Sequence, residues 1–328
     1  MKYTEIGNTG IRISRLCIGG MSFGKASEDF YLWTLDPEQT KEMIAYAYDL
    51  GVNFIDTANQ YSFGTSEEYI GKAIKDLGIP REKIIIASKV YYNEGKLSRK
   101  AILKEIDGTL ERLGTDYVDL YQIHRFDYDT PVEETLETLD SLVKTGKVRA
   151  IGASAMYGYQ FHNMQICAEK HRWTMFSSMQ NHYNLLYRED ERELIPICEQ
   201  YGVSRLSYSP LAGGHLAHTG WDSGSKRSET DKVLKRRYDH AAENDIRIVE
   251  RVKDVADKHH VSMSEAALAW QYARGVAAPI VGATKKNHFE AAAKAIDLEL
   301  DKEDITYLEE LYEPHKVTGA IPRPAGRE

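Results

Sequence analysis

Cysteine, excess positive charge and long apolar runs are all scarce in this sequence, and each shortage removes a class of protein. Three cysteines, Cys17, Cys167 and Cys198, stand among 328 residues. None has metal-site spacing, and an odd count in so long a chain reads as buried free thiols rather than a disulfide framework. Lysine and arginine total 42 against 50 acidic residues, a net charge of −8. Nucleic-acid binders carry a basic footprint, so no nucleic-acid partner is expected. No run of about 18 apolar residues occurs, so no membrane span is expected. The opening Met1-Lys2-Tyr3-Thr4-Glu5 lacks the apolar stretch of a cleaved leader, and the expectation is a protein of the cytoplasm.

Familiar catalytic motifs are missing too. Gly19-Gly20-Met21-Ser22-Phe23-Gly24-Lys25-Ala26 nearly spells a phosphate-binding loop. It has no Ser or Thr after Lys25, and no helix is expected to start there. The G-x-G-x-x-G fingerprint is absent, so any dinucleotide is held without a Rossmann turn. Gly152-Ala153-Ser154-Ala155-Met156 begins like a nucleophile elbow but lacks its last glycine. No H-E-x-x-H or paired Cys-x-x-Cys occurs, and His259-His260 reads as a solvated helix end, which leaves metal catalysis without support.

What is present is a repeat. Apolar runs at 15–19, 53–56, 84–89, 118–124, 148–154, 176–181, 204–209 and 278–282 alternate with amphipathic segments such as 38–50, 98–113 and 132–145. From the second run to the seventh the starts are spaced by about 30 residues, the size of a βα unit. Ile84-Ile85-Ile86 and the run from Val118 are apolar on both strand faces, as a parallel sheet covered on both sides requires. Eight units in one compositional regime predict a single α/β domain over 1–328, a closed (β/α)8 TIM barrel. Residues 1–14 read as an N-terminal β-hairpin plugging the barrel. Residues 212–244 read as a long polar loop on the C-terminal face, and 301–328 as a helix followed by a Pro-rich tail with Pro314, Pro322 and Pro324.

Barrel chemistry sits at the C-terminal strand ends. Asn53-Phe54-Ile55 ends at Asp56, with Tyr61 in the following loop; the next run ends at Lys89 and the one after at His124. Later runs end at Ser154 and at Gln180-Asn181. An acid, a phenol, an amine and an imidazole thus converge on one rim.

Longer stretches carry a resemblance: Gly51-Val52-Asn53-Phe54-Ile55-Asp56-Thr57-Ala58 with Tyr61, Ser66-Glu67-Glu68 with Gly71, and Leu113-Gly114-Thr115-Asp116-Tyr117-Val118-Asp119-Leu120 running into His124. Gly146-Lys147-Val148-Arg149, Ile151-Gly152-Ala153-Ser154, Gln180-Asn181 and Ser209-Pro210-Leu211 complete it. Over nearly its whole length the chain resembles the aldo-keto reductases, in particular the aryl-alcohol-dehydrogenase-like branch that also contains potassium-channel β subunits. The resemblance implies a barrel that binds extended NADPH, in preference to NADH, and reduces a small-molecule carbonyl substrate. It makes Tyr61 the proton donor. Lys89 would lower the phenol below its ordinary value of about 10, Asp56 would fix Lys89, and His124 would orient the substrate oxygen. Ser154, Gln180 and Asn181 match positions that hold the nicotinamide carboxamide, and Tyr208 the aromatic that stacks on its ring. Ser209, Pro210, Leu211, Gly213 and Gly214 match a loop over the pyrophosphate. Gly20, Met21, Gly282, Thr284, Lys285 and His288 also fall at the cofactor, with Lys285 expected beside the phosphate that distinguishes NADPH. Trp33, Phe126 and Met156 are the expected substrate contacts and suit aromatic or other apolar aldehydes and ketones.

Some positions depart from the pattern. Ala291-Ala292 replaces a Glu-Asn pair that commonly grips adenine, and Arg205 lies inside a run where apolar residues are the norm, with a salt bridge at the barrel bottom as its expected role. The cluster Lys232, Lys235, Arg236 and Arg237 reads as a solvated helix face rather than a phosphate site. Two other functions fit the same residues: a nicotinamide-binding sensor or accessory subunit with residual turnover, and a Schiff-base lyase using Lys89. Oligomerisation is compatible with the sequence, which carries no signal for a particular state.

Overall fold

The computed structural model describes residues 1–221, 224 and 226–323. Asp222, Ser223 and Ser225 of the 212–244 segment, and Pro324 with the rest of the tail's end, lie outside the described residues. An antiparallel hairpin, β1 (Tyr3–Glu5) and β2 (Arg12–Ser14), precedes eight parallel strands: β3 (Cys17–Gly19), β4 (Phe54–Asp56), β5 (Ile85–Val90), β6 (Val118–Ile123), β7 (Val148–Ser154), β8 (Ser178–His182), β9 (Ser204–Tyr208) and β10 (Ala278–Val281). They pair in chain order, and β10 returns to pair with β3, with Ile280 opposite Cys17, closing a (β/α)8 barrel. The hairpin stops the N-terminal end. Ile6, Ile11 and Ile13 are buried in one cluster with Phe54, Ile85, Leu120 and Leu206 from inside the barrel.

The outer ring comprises α1 (Pro37–Asp49), α2 (Thr65–Asp76), α3 (Arg99–Leu113), α4 (Val132–Lys144), α5 (Gly158–His171) and α6 (Leu194–Gln200). Along the chain follow α7 (Lys226–Thr230), α8 (Lys232–Tyr238), α9 (Ala242–His259), α10 (Met263–Ala273), α11 (Lys286–Ala295) and α12 (Lys302–Glu309). Local chemistry fixes the ends. Asp36 caps α1 reciprocally with Gln39, and Pro37 takes the first helical position, where its missing N–H costs nothing. Gly114 ends α3 in the left-handed region at φ 64°. Gly71 lets α2 lie against the end of α3, since a Cβ there would sit 2.4 Å from the Leu113 carbonyl oxygen.

Several details differ from the sequence reading. Residues 212–244 do not form a continuous loop: α7 and α8 interrupt the segment, and α9 already begins at Ala242. Asp231 accepts hydrogen bonds from the Val233 and Leu234 N–H groups and so starts α8. Leu234 and Tyr238, four residues apart, are buried with Leu216, Ile248 and Val252, so one apolar stripe anchors a polar segment. Cys167 is only half-buried, unlike Cys17 and Cys198. His259 is not merely solvated, because it pairs with Asp304 at 2.6 Å. Arg205, by contrast, has the ion pair expected of it, 3.6 Å from Glu199, and also donates to the Arg274 carbonyl at 2.8 Å.

Candidate active site

The register of adjacent strands assembles the rim. Asp56 ends β4 opposite Ala87 of β5, which sets Lys89 two residues higher on the same face. Both charges are withdrawn from water, a costly state unless they meet. Lys89 Nζ lies 2.5 Å from Asp56 Oδ1 and also donates to the Thr57 carbonyl at 2.9 Å and the Tyr61 hydroxyl at 3.0 Å. All three ammonium protons therefore have acceptors. Asp56 Oδ2 receives the side-chain amides of Gln122 at 2.9 Å and Gln180 at 2.8 Å. Gln122 was missed in the sequence, although a polar side chain two residues before His124, and so on the same strand face, was its signal.

Tyr61 enters from a strained loop. The next two residues, Ser62 and Phe63, are left-handed at φ 47° and 56°, an uncommon conformation for side-chain-bearing residues. Gly24 gives this loop room, because a Cβ there would stand 2.5 Å from the Ser62 Cβ. The Tyr61 ring packs edge-on to His124 at 5.8 Å, and Tyr92 packs on His124 at 5.1 Å.

The electrostatics correct one expectation. Desolvation outweighs the downward pull of Lys89, Asp56 pushes the same way as desolvation, and the Tyr61 phenol titrates above its ordinary value rather than below it. Lys89 has the expected sign of effect, but its charge is already shared with Asp56. Burial disfavours the Lys89 ammonium, yet Asp56 and Tyr61 together raise its pKa. It keeps its protons and has no lone pair for a Schiff base. His124 is held well below the usual histidine value by burial, then by Arg125 and Lys89, so its imidazole is neutral near pH 7.

The remaining candidates fall into groups. Ser154 ends β7, buried, opposite Gln180 of β8. Asn181 donates its amide to Asp190 Oδ2 at 2.9 Å; with the Gln180 nitrogen turned to Asp56, both amide oxygens remain as acceptors. Burial lifts the Asp190 carboxyl to about 7 against the pull of Asn181. Tyr208 stacks on His182 at 5.3 Å with planes 7° apart, and its buried hydroxyl has no partner among the described residues. Ser209, Ala212, Gly213 and Gly214 are all left-handed, which coils the 209–214 loop against Leu234 of α8, with Pro210 buried and Leu211 half-buried in it. Gly20 and Met21 form a short turn above β3, and a Cβ on Gly20 would meet the Asp56 carbonyl oxygen at 2.8 Å.

On the far side, Gly282 and Thr284 lead to Lys285, the cap residue of α11. Lys285 has no acidic partner among the described residues, whereas Lys286 pairs with Glu42 at 2.6 Å. Desolvation and Lys285 hold His288 below the ordinary histidine value. Ala292 faces the core, so nothing at that position reaches a ligand.

The basic cluster divides. Lys232, Lys235 and Arg236 are exposed, but Arg237 turns inward with its guanidinium 5.3 Å from the Tyr208 ring centroid, a contact the sequence reading assigned to solvent. Trp33 packs on Tyr31 and Phe126 on Tyr128. Met156 is buried but lines a cavity of about 230 Å³ with Ala155, His182, Asp190, Tyr208 and Thr318. Aromatics not anticipated stand nearer the phenol. Phe30 lies 6.4 Å from the Tyr61 ring and 6.2 Å from Phe63, which is 68% exposed. The tail also reaches the site: Thr318 Oγ1 is 3.1 Å from His182 Nδ1, and Tyr128 donates to the Ile321 carbonyl.

Among the described residues no His/Cys/Asp/Glu group could hold a metal ion, and no helix is long and apolar enough to cross a membrane. Residues 15–313 match the model of the aldo/keto reductase family. The chain is 38% identical to versiconal hemiacetal acetate reductase of Aspergillus parasiticus, over 97% of this chain and 98% of that protein. It is 41% identical, again over 97% and 98%, to a provisionally named aryl-alcohol dehydrogenase of Schizosaccharomyces pombe. A third relative, an aldo-keto reductase of Metarhizium robertsii, is 39% identical over 97% of this chain and 92% of its own length. With the barrel and the family match in agreement, the chain belongs to the aldo/keto reductase family and is an NAD(P)H-dependent oxidoreductase acting on small-molecule carbonyl compounds.

Proposed function

We propose that the protein reduces aromatic or other apolar aldehydes and ketones with NADPH, with Tyr61 as the proton donor. The observation that carries this reading is the saturated Lys89 ammonium, bound at once to Asp56, the Thr57 carbonyl and the Tyr61 hydroxyl. The bound nicotinamide supplies the hydride. Tyr61 releases its proton to the substrate oxygen as charge gathers there, and Lys89, unable to leave Asp56, stabilises the phenolate left behind. A phenol pKa above the ordinary value keeps that proton in place at neutral pH, so reduction has its acid ready and alcohol oxidation needs alkali. Neutral His124 donates a hydrogen bond to the same oxygen and sets its position.

The residues fit a nicotinamide cofactor. The Gln180 and Asn181 oxygens can accept from a carboxamide, and the unpartnered Tyr208 hydroxyl marks a site built for more than protein contacts. Gly213 and Gly214 give the pyrophosphate close backbone access, and Arg237 adds charge beside Tyr208. Lys285, without an acidic partner, is available to an adenosine phosphate, with Thr284 and the α11 N-terminus beside it.

Tyr61→Phe tests the assignment. It keeps the ring and removes the proton, so the chemical step should slow by about 10²–10⁴ while NADPH affinity, followed by fluorescence, stays within about twofold. Retention of more than about a tenth of the wild-type rate, with chemistry limiting, would remove Tyr61 from the role.

A further inference from the structure

Arg125 directly follows His124 at the end of β6 and does not run out into solvent. It is half-buried, with Nη1 donating to the His124 carbonyl at 2.7 Å and the guanidinium 5.8 Å from the Tyr92 ring centroid. Tyr92 packs on His124, and His124 on Tyr61. One contiguous line of side chains therefore runs from the proposed proton donor to this guanidinium.

Among the described residues Arg125 has no carboxylate partner. Arg81 pairs with Asp119, Arg112 with Glu67, and Arg188 with Glu191 and Glu309. Arg125, like Arg15 and Arg237, instead lies near a tyrosine ring with no acid among the described residues, and of these three it is the one beside His124. The nearest acid in the chain, Asp127, is turned away. Its oxygens accept from the Leu97 and Asp129 N–H groups and the Thr130 hydroxyl. A half-buried guanidinium without a counter-ion remains open to an anion, and its remaining N–H groups form a planar fork that matches a carboxylate. The field of Arg125 also reaches both neighbours, helping to hold His124 down and pulling on the Tyr61 phenol.

We infer that Arg125 is a specificity residue that binds an anionic group of the substrate, and that the preferred substrates are carbonyl compounds carrying a carboxylate across an aromatic or similarly flat body. This rests on the reductase reading of the same site. A carboxylate is favoured over a phosphate dianion because the other cation at the phenol, Lys89, is committed to Asp56. The flat body is set by Tyr92, 43% exposed, and by Phe63 across the Tyr61 loop.

The test compares 4-carboxybenzaldehyde with 4-methylbenzaldehyde, of similar shape but neutral, following NADPH oxidation at saturating cofactor for wild type, Arg125→Gln and Arg125→Lys. The wild type should favour the carboxylate in kcat/KM. Arg125→Gln should lower that selectivity about ten- to hundredfold, mainly through KM, as expected for loss of a charged hydrogen bond. Arg125→Lys, with charge but no fork, should fall between the two. Circular dichroism confirms that the variants are folded. Equal losses on both aldehydes would mean that Arg125 acts only through Tyr61 or His124, and a wild type indifferent to the carboxylate would also overturn the inference. A wild type that reduces neither aldehyde, nor a wider panel of carbonyl compounds, would instead overturn the reductase reading, and this inference with it.

Discussion

Replacing Lys89 by methionine keeps most of the side-chain volume and removes one buried charge together with three hydrogen bonds. Asp56 then retains Gln122 and Gln180 on Oδ2, but Oδ1, buried, loses its cation. Stranding one partner of a buried ion pair costs about 3–5 kcal/mol, a large share of the roughly 5–15 kcal/mol by which a typical domain is stable. Urea denaturation followed by circular dichroism should show that loss as a lower midpoint. If the stranded carboxylate is the cause, Lys89→Met combined with Asp56→Asn should recover a substantial part of it. The Lys89 pKa is raised in the folded state, so its contribution is fully present below the unfolded value of about 10.4 and fades only as pH rises through the folded one. The deficit of the single variant should therefore be constant between about pH 6 and 9. Benzyl alcohol oxidation by NADP+ across alkaline pH supplies the kinetic half, and its apparent pKa should move upward in Lys89→Met because the phenolate has lost its cation. A double variant no more stable than the single one, with an unchanged pH profile, would refute both arguments and leave Lys89 as packing.

Lys285→Ala should weaken NADPH by about 1.5–3 kcal/mol and leave NADH nearly untouched in fluorescence titrations; equal losses would show that Lys285 does not read the extra phosphate. Gly213→Ala puts a Cβ 2.0 Å from Leu234 Cδ1 at a left-handed position, so the 209–214 loop should lift from α8. Faster proteolysis of the 212–244 segment and weaker cofactor binding would report it, and unchanged proteolysis would argue against the pinning. His315 faces the buried carboxylate of Asp245 and, despite desolvation, titrates above the ordinary histidine value. Its stabilising contribution should be full below about pH 6.5 and decline as pH rises through the folded pKa. The stability gap between wild type and His315→Gln, measured by thermal denaturation from pH 5 to 9, should narrow in that direction.

The barrel was legible because its information is periodic. Runs such as 84–89 and 118–124 differ from β5 and β6 by a residue at each disputed end, since a strand covered on both faces announces itself by composition. The hairpin at 1–14 was equally plain, from the turn residues Gly7-Asn8 and Thr9-Gly10. The 212–244 segment was not, because α8 rests on two apolar side chains, Leu234 and Tyr238, and one cap, Asp231, within a polar background. Over so short a span, tertiary burial rather than propensity decides whether a helix forms.

The site was legible to the extent that its side chains end strands. Asp56, Lys89 and His124 stand where alternation and register force them onto one rim, and Tyr61 follows at a fixed distance along the loop. What the sequence withholds is the direction in which a flexible charged side chain turns. Lys285 and Lys286 are identical neighbours, yet only Lys286 finds an acid, Glu42 on α1. Arg236 and Arg237 differ in the same way: the first is exposed, the second lies over Tyr208. Arg125 was passed over beside His124 for the same reason, since in the sequence it reads as one more surface arginine. Its distinction is its place beside His124 with no counter-ion among the described residues, and that emerges only once Asp127 is seen bound to Leu97 and Thr130. A chain with an acidic excess can satisfy most of its buried cations internally, so a half-buried guanidinium left without an acid beside the proposed proton donor is where a substrate's charge has the most to gain.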